Sequence, residues 1–151
     1  MDKILKTVEI KNRRASFDYS FLEKYIAGMV LKGSEIKSIR QGKVNLSDSY
    51  CVLTNGELFI RNLQISEYEK TTHFGHEPGR DRKLLLTSNE IKKLEKKLKD
   101  QGLTIIPTRL FINEKGWAKL EIALAKGKKA FDKREDIKKK DIQREISRKI
   151  K

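Results

Sequence analysis

Residues 50–60 read YCVLTNGELFI, and their pattern decides the fold class. Two β-prone runs flank Asn55-Gly56, a pair suited to the positive backbone angles of a two-residue type I′ turn. A β-hairpin is expected here. A second hairpin is expected further along, in LTIIPTRLFINEKGWAKLEIALAKG (103–127), turning at Asn113 to Gly116. In its return strand Leu120, Ile122 and Leu124 share one face, and Lys119 and Glu121 share the other. Pro107 cannot donate to a ladder, so it marks a sheet edge or a bulge.

Between the hairpins, TSNEIKKLEKKLKDQG (87–102) predicts a helix. Thr87 and Glu90 form a capping box, Ile91, Leu94 and Leu98 make the inner face, and Gly102 stops it. Just before it, KLLLTS predicts a short buried strand. Towards the N-terminus, TVEIK (7–11) predicts a strand with Val8 and Ile10 inward, and NRRASFDYS a polar, basic loop. YSFLEKYIAG (19–28) predicts a helix capped by Ser20 and Glu23, with a stripe of Phe21, Leu22, Tyr25 and Ile26. MVLKGSEIKSIRQGK (29–43) predicts a long strand with Gly33 as a bulge. EYEKTTHFGHEPGRDR (67–82) is expected to be a polar loop. Short antiparallel strands with inserted helices suggest a mainly β protein, and an OB-like barrel with two or three accessory helices is the natural candidate.

The 151 residues suit one domain, with 37% hydrophobic and 37% charged residues. A net charge of +14 and a pI near 9.9 point first to nucleic acid, although acidic proteins and anionic membranes attract such a surface too. The lone cysteine, Cys51, excludes an internal disulfide and reads as a small core hydrophobe. Neither a secretory signal nor a membrane-length apolar run is visible, so a reducing, cytoplasmic setting is expected.

The chain ends in ALAKGKKAFDKREDIKKKDIQREISRKIK (123–151). Residues 1–130 are expected to form the barrel and 131–151 a basic tail. On a helical wheel Ile142, Ile146 and Ile150 align, with Lys133, Lys140, Arg144, Arg148 and Lys151 opposite. Ion pairs at i, i+4 such as Glu145–Lys149 add only about 0.2–0.5 kcal/mol each. The tail is therefore expected to be disordered when free and helical when bound. A solvated extension without a role is the plainer alternative. The stripe is too thin for a membrane surface.

The chemistry of an enzyme is sparse. His73 and His76 in HFGH could offer two metal ligands, but no nearby cysteine completes a site and Arg80, Arg82 and Lys83 would repel a cation. Surface-loop histidines are the simpler reading. AKGKKAFDK lacks the spacing of a phosphate loop, and no nucleophile elbow is present. No catalytic residue, metal or cofactor is expected. Basic clusters Lys11–Arg13–Arg14, Arg80–Arg82–Lys83 and Lys126–Lys128–Lys129 fall at element edges, where they could track phosphates. Tyr19, Phe74 and Phe131 could stack on unpaired bases, whereas Tyr25, Phe59 and Trp117 are expected in the core.

NRRASFDY, AGMVLKGSEIKSIRQGKVNLSDSY, RDRKLLL and ALAKGKKAFDKRE occur in this order and spacing. Together they resemble the SmpB family, the bacterial partners of transfer-messenger RNA (tmRNA), from about Glu9 to the C-terminus. The resemblance implies a six-stranded OB-like barrel that binds the tRNA-like domain of tmRNA. It implies delivery, with alanyl-charged tmRNA and the elongation factor Tu complex, to ribosomes stalled on mRNA without a stop codon. The tail would enter the decoding centre and the empty mRNA channel of the small subunit, beside 16S rRNA, and fold there as a helix.

Carried over position by position, the family's tmRNA contacts fall on Leu85 and Lys119. The basic residues Arg13, Arg14, Arg80, Arg82 and Lys83 are added as expected tmRNA contacts. Ribosomal roles fall on Lys126, Gly127, Lys128, Lys129, Phe131, Asp132, Lys133 and Arg134. The sequence departs from some relatives where Ile26 stands in place of a glutamate, and from many where Thr87 stands in place of an asparagine. A monomer without membrane contact is expected. Two other readings stay in view: a general OB-type ribosomal protein, and a nuclease using His73 and His76.

Overall fold

The computed structural model describes residues 8–67, 76–99 and 102–128, together with Arg134, Ile137, Lys138 and Ile142. Nine strands and three helices occur in the described part, in the order β1 (Glu9–Lys11), α1 (Ala15–Asp18), β2 (Tyr19–Met29), α2 (Gly33–Arg40), β3 (Val44–Asn45), β4 (Tyr50–Thr54), β5 (Glu57–Arg61), β6 (Gln64–Ile65), β7 (Arg82–Leu85), α3 (Ser88–Lys97), β8 (Leu103–Ile112) and β9 (Ala118–Gly127).

The ladder is antiparallel throughout. It runs β1-β8-β4-β5-β7-β2-β9, and β9 also pairs with β8. The six strands from β8 to β9 therefore form a closed circuit, the OB-like arrangement expected from the sequence. The β8–β4 seam is the narrowest, a single register pair between Cys51 and Ile105. Inside the circuit lie Leu58, Ile60, Leu84, Ile105, Leu110, Leu120, Ile122 and Leu124, all buried. Leu94 of α3 and Ile39 of α2 complete this core. Cys51 packs in this core as a small apolar group, as expected, and burial pushes its thiol up.

Both hairpins form as read. Asn55 and Gly56 take φ of 53° and 75°, the sign a type I′ turn needs at both positions. The β8–β9 register slips between Pro107 and Arg109, so Pro107 sits at a bulge where its missing donor costs nothing. Helix α3 carries its capping box: the Glu90 amide donates to Thr87 Oγ1 at 3.2 Å, and the Thr87 amide donates to Glu90 Oε1 at 3.0 Å.

Three expectations from the sequence are corrected. Residues 19–29 are an eleven-residue strand, not a helix. Tyr25 and Ala27 face the core, while Leu22 and Ile26 are exposed. A bulge between Phe21 and Glu23 breaks the two-residue alternation and turns Phe21 towards Ala15, Ile106 and Ala125 on the outer surface. Residues 33–40 form α2 and not a strand, with Gly33 as the first helical residue. The polar loop expected at 12–20 contains the one-turn α1.

Helix α2 is fixed by a buried charge network. Glu35 caps its own helix, accepting from the Lys32 amide at 2.8 Å. Its carboxylate also accepts from Arg82 Nε (2.5 Å) and from Arg80 Nε (3.1 Å) and Nη2 (2.5 Å). Arg82 further donates to the carbonyls of Leu63 (2.7 Å) and Pro78 (3.0 Å). Burial alone would raise the Glu35 carboxyl, but the bonds from Arg80, the Lys32 amide and Arg82 outweigh it and hold it below the ordinary range. The ionised form thus stabilises the fold fully above the ordinary glutamate value of about 4.3. That contribution is lost as pH falls through the lowered folded value. A Glu35→Gln variant, already lacking the charge, should show a flatter fall of its unfolding midpoint below about pH 4.3. Equal slopes for the two proteins would refute the assignment.

Candidate nucleic-acid interface

The outer face of β7, β2 and β9 brings together residues distant in sequence. Gly28 pairs with Leu85 on one side and with Lys119 on the other. Residues directly opposite in a ladder share a face. A Cβ at Gly28 would lie 3.4 Å from Leu85 Cβ and 3.7 Å from Lys119 Nζ. The lysine ammonium therefore lies over the glycine beside Leu85, with no side chain between. Leu85 is 51% exposed. Lys119 makes no ion pair among the described residues. The pair expected to touch RNA is thus assembled as one exposed contact: an apolar surface with a cation available for a phosphate.

The same face continues across β9 and β8 to β1. Ile26 pairs with Glu121, Glu121 with Arg109, and Arg109 with Lys11. Arg109 is committed locally, 3.3 Å from Glu121 and 3.6 Å from Glu9, with its guanidinium 4.4 Å from the Phe111 ring centre. Burial raises the Glu121 carboxyl, but the Thr108 hydroxyl bond and the Arg109 and Lys24 charges hold it lower. Beyond lies a concavity of about 410 Å³, with Lys11, Arg13, Lys24 and Arg109 in its lining. Ile26, in place of the glutamate of some relatives, adds exposed apolar surface to the face.

Not every expected cation belongs to this surface. Arg82 is fully buried against Glu35, and Arg80 is doubly bonded to the same carboxylate. The expectation that Arg82 contacts tmRNA is corrected: its guanidinium holds the fold together and cannot meet a phosphate. Arg13 is exposed, Arg14 pairs with Asp18 at 3.2 Å, and Lys83 pairs with Glu57 at 3.4 Å.

His76 is also corrected. It is buried, with Nε2 donating to the Ile65 carbonyl (2.7 Å) and Nδ1 sharing a hydrogen bond with Ser34 Oγ (2.8 Å). Both ring nitrogens are engaged, which leaves neither for a metal or a nuclease reaction. His73 and Phe74 lie outside the described residues. No group of three or more His, Cys, Asp or Glu among the described residues could hold a metal. Tyr19, proposed for stacking, is half-buried against Ala15, Ile106 and Ala125. Trp117, expected in the core, is 66% exposed.

The cations expected to serve the ribosome lie at the far end of β9. Lys126 and Gly127 pair with Ser20 and Tyr19, and the Lys128 amide donates to the Asp18 carbonyl at 2.9 Å. Seven residues separate Lys126 from Lys119, roughly 23 Å of extended strand. Arg134, Ile137, Lys138 and Ile142 have helical backbone and are exposed. Lys129, Phe131, Asp132, Lys133, Arg144, Ile146, Arg148 and Ile150 lie outside the described residues, and so does the expectation of a disordered free tail.

A family model described as SmpB protein matches residues 9–151. The SsrA-binding protein of Cytophaga hutchinsonii is 58% identical over 146 residues, covering 97% of this chain and 95% of that one. The SsrA-binding protein of Christiangramia forsetii is 54% identical over 142 residues, covering 94% and 90%. A solved chain from "tmRNA-SmpB: a journey to the center of the bacterial ribosome" superposes with a TM-score of 0.69 at 46% identity, covering 82% of this chain and 86% of that one.

Proposed function

The chain belongs to the SmpB family, and from that premise we propose how its surface performs the family's task. The protein is an RNA-binding adaptor and not an enzyme. It binds tmRNA and delivers it to stalled ribosomes in trans-translation. The observation that carries the interface is the exposed Leu85–Gly28–Lys119 row. Leu85 covers apolar surface of the tRNA-like domain and Lys119 meets a phosphate. Lys11, Arg13 and Lys24 extend the electrostatic track along the same face. Phosphate contacts of this kind position the RNA without reading its sequence.

The protein acts as a monomer and meets elongation factor Tu only through tmRNA. Lys126 to Arg134 act on the ribosome, with the tail beyond. Work on the ribosome implies a cytoplasmic setting, and no described helix is long and apolar enough to cross a membrane.

Lys119→Ala tests the interface. If Lys119 neutralises one phosphate, the salt slope of binding to the tRNA-like domain should fall by about one unit, with weaker affinity at every salt concentration. Unchanged affinity and slope would remove Lys119 from the interface.

A further inference from the structure

We propose that Trp117 is a stacking platform of the RNA-binding face, taking an unstacked or terminal base next to the phosphate held by Lys119. The inference rests on the adaptor reading above and adds to it a residue that the family resemblance does not supply.

Trp117 is the most exposed of the large apolar residues in the described chain, at 66%. Core packing therefore does not account for the ring. Its backbone is nonetheless tightly held. Asn113 Oδ1 accepts from the Trp117 amide at 2.9 Å and from the Lys115 amide at 3.1 Å. The Asn113 amide donates to the Trp117 carbonyl at 2.9 Å, and Gly116 supplies the positive φ of 85° that closes the turn. With the backbone pinned, only the two side-chain torsions of the ring remain to be ordered on binding, which favours stacking.

Its surroundings select the occupant. Trp117 directly precedes β9, and Lys119, two residues on, shares its parity and therefore its side of the chain. Val30, one residue beyond the end of β2, is exposed as well. On the turn side, the Arg40 guanidinium comes within 3.9 Å of where a Cβ on Gly116 would stand. An aromatic plane with a cation on either side, in a chain of net charge +14, complements a base flanked by phosphates. A protein partner would have to bring matching acidic groups, and a second copy of this chain would oppose like charges.

The chain holds one tryptophan, so its intrinsic emission reports on Trp117 alone. Full-length protein would be titrated with a transcript of the tRNA-like domain, following emission and filter binding on the same samples. The expected result is saturable quenching whose midpoint matches filter binding. Trp117→Ala should weaken binding by roughly tenfold, since stacking on a ring is sequence-tolerant but strong. Because the ring is uncharged, the salt slope should stay as it is, unlike that of Lys119→Ala. Trp117→Phe should keep most of the affinity. Unfolding midpoints of both variants check that the fold survives. Binding with unchanged emission, or quenching with no affinity loss in Trp117→Ala, overturns this inference and leaves the adaptor reading standing. Normal RNA affinity with lost peptide tagging would assign the ring to a ribosomal contact and overturn it as well. No RNA binding by the wild-type protein would remove the adaptor reading and this inference together.

Discussion

Arg82→Met should lower the unfolding free energy by about 3–5 kcal/mol, the usual cost of removing one partner from a buried ion pair. Against the total of about 5–15 kcal/mol typical of a domain, that is a large share. Arg82 is entirely buried and bonds Glu35 together with the carbonyls of Leu63 and Pro78. Methionine matches much of its aliphatic bulk, so packing loss is small and the deficit reports the charge and the orphaned carbonyls. Of its two cations Glu35 keeps only Arg80, which is partly open to water. Changing Glu35 to leucine in the same chain should recover part of the loss, because no half-compensated carboxylate is left buried. Denaturant titration of wild type, both single variants and the double variant measures the coupling. The RNA affinity of folded Arg82→Met should match wild type, since its guanidinium does not reach the RNA-binding face. A variant as stable as wild type, or one that stays folded but binds RNA weakly, would sink this account.

The same pair shows where the sequence stops being readable. RDRK (80–83) looks like a basic cluster because nothing local marks Arg82 as inward. Its partner lies 47 residues earlier, on a helix that was itself expected to be a strand. In GSEIKSIR only Ile36 and Ile39 mark a helical period, too few to outweigh a glycine that resembles a bulge. In residues 19–29 Phe21, Leu22, Tyr25 and Ile26 fit a helical stripe as well as a strand, and the bulge at Leu22 hides the alternation. The tertiary pairing with β9 and β7 decides the matter. The hairpins and α3 were legible because their turn and cap chemistry is local: Asn55-Gly56, and Thr87 with Glu90. The Leu85–Lys119 contact was legible only through the family resemblance, since no pattern predicts that Gly28 sets them side by side. Trp117 carried a usable signal. It has the same parity as Lys119 and Glu121, the polar face, and Leu120 and Ile122 fill the other.

Truncation after Ala130 should leave tmRNA binding nearly intact and reduce tagging of a stalled peptide on purified ribosomes to background. On the proposed assignment the two activities should separate, because Lys119 and Lys126 stand at opposite ends of β9, roughly 23 Å apart. The residues removed carry nine Lys and Arg and five Asp and Glu, or +4 of the +14 total. Most of the field that attracts RNA stays on the barrel. A helix formed by the tail alone would be weak: i, i+4 ion pairs each contribute only about 0.2–0.5 kcal/mol, and nucleation is costly for so short a segment. Ile137 and Ile142 are 47% and 57% exposed, so the barrel does not cover these apolar groups. A basic tail of this kind becomes a stable helix only against walls that supply both phosphates and apolar contact, and an mRNA channel emptied of mRNA supplies phosphates. Replacing Ile142 and Ile146 by asparagine in the full-length chain keeps every charge while removing the stripe. If tagging falls with RNA binding unchanged, the isoleucines seat the helix. If only the truncation loses tagging, charge alone carries the tail's action. Equal tagging by truncated and full-length protein would make the tail a solvated extension, and the ribosomal half of the mechanism would fall with it.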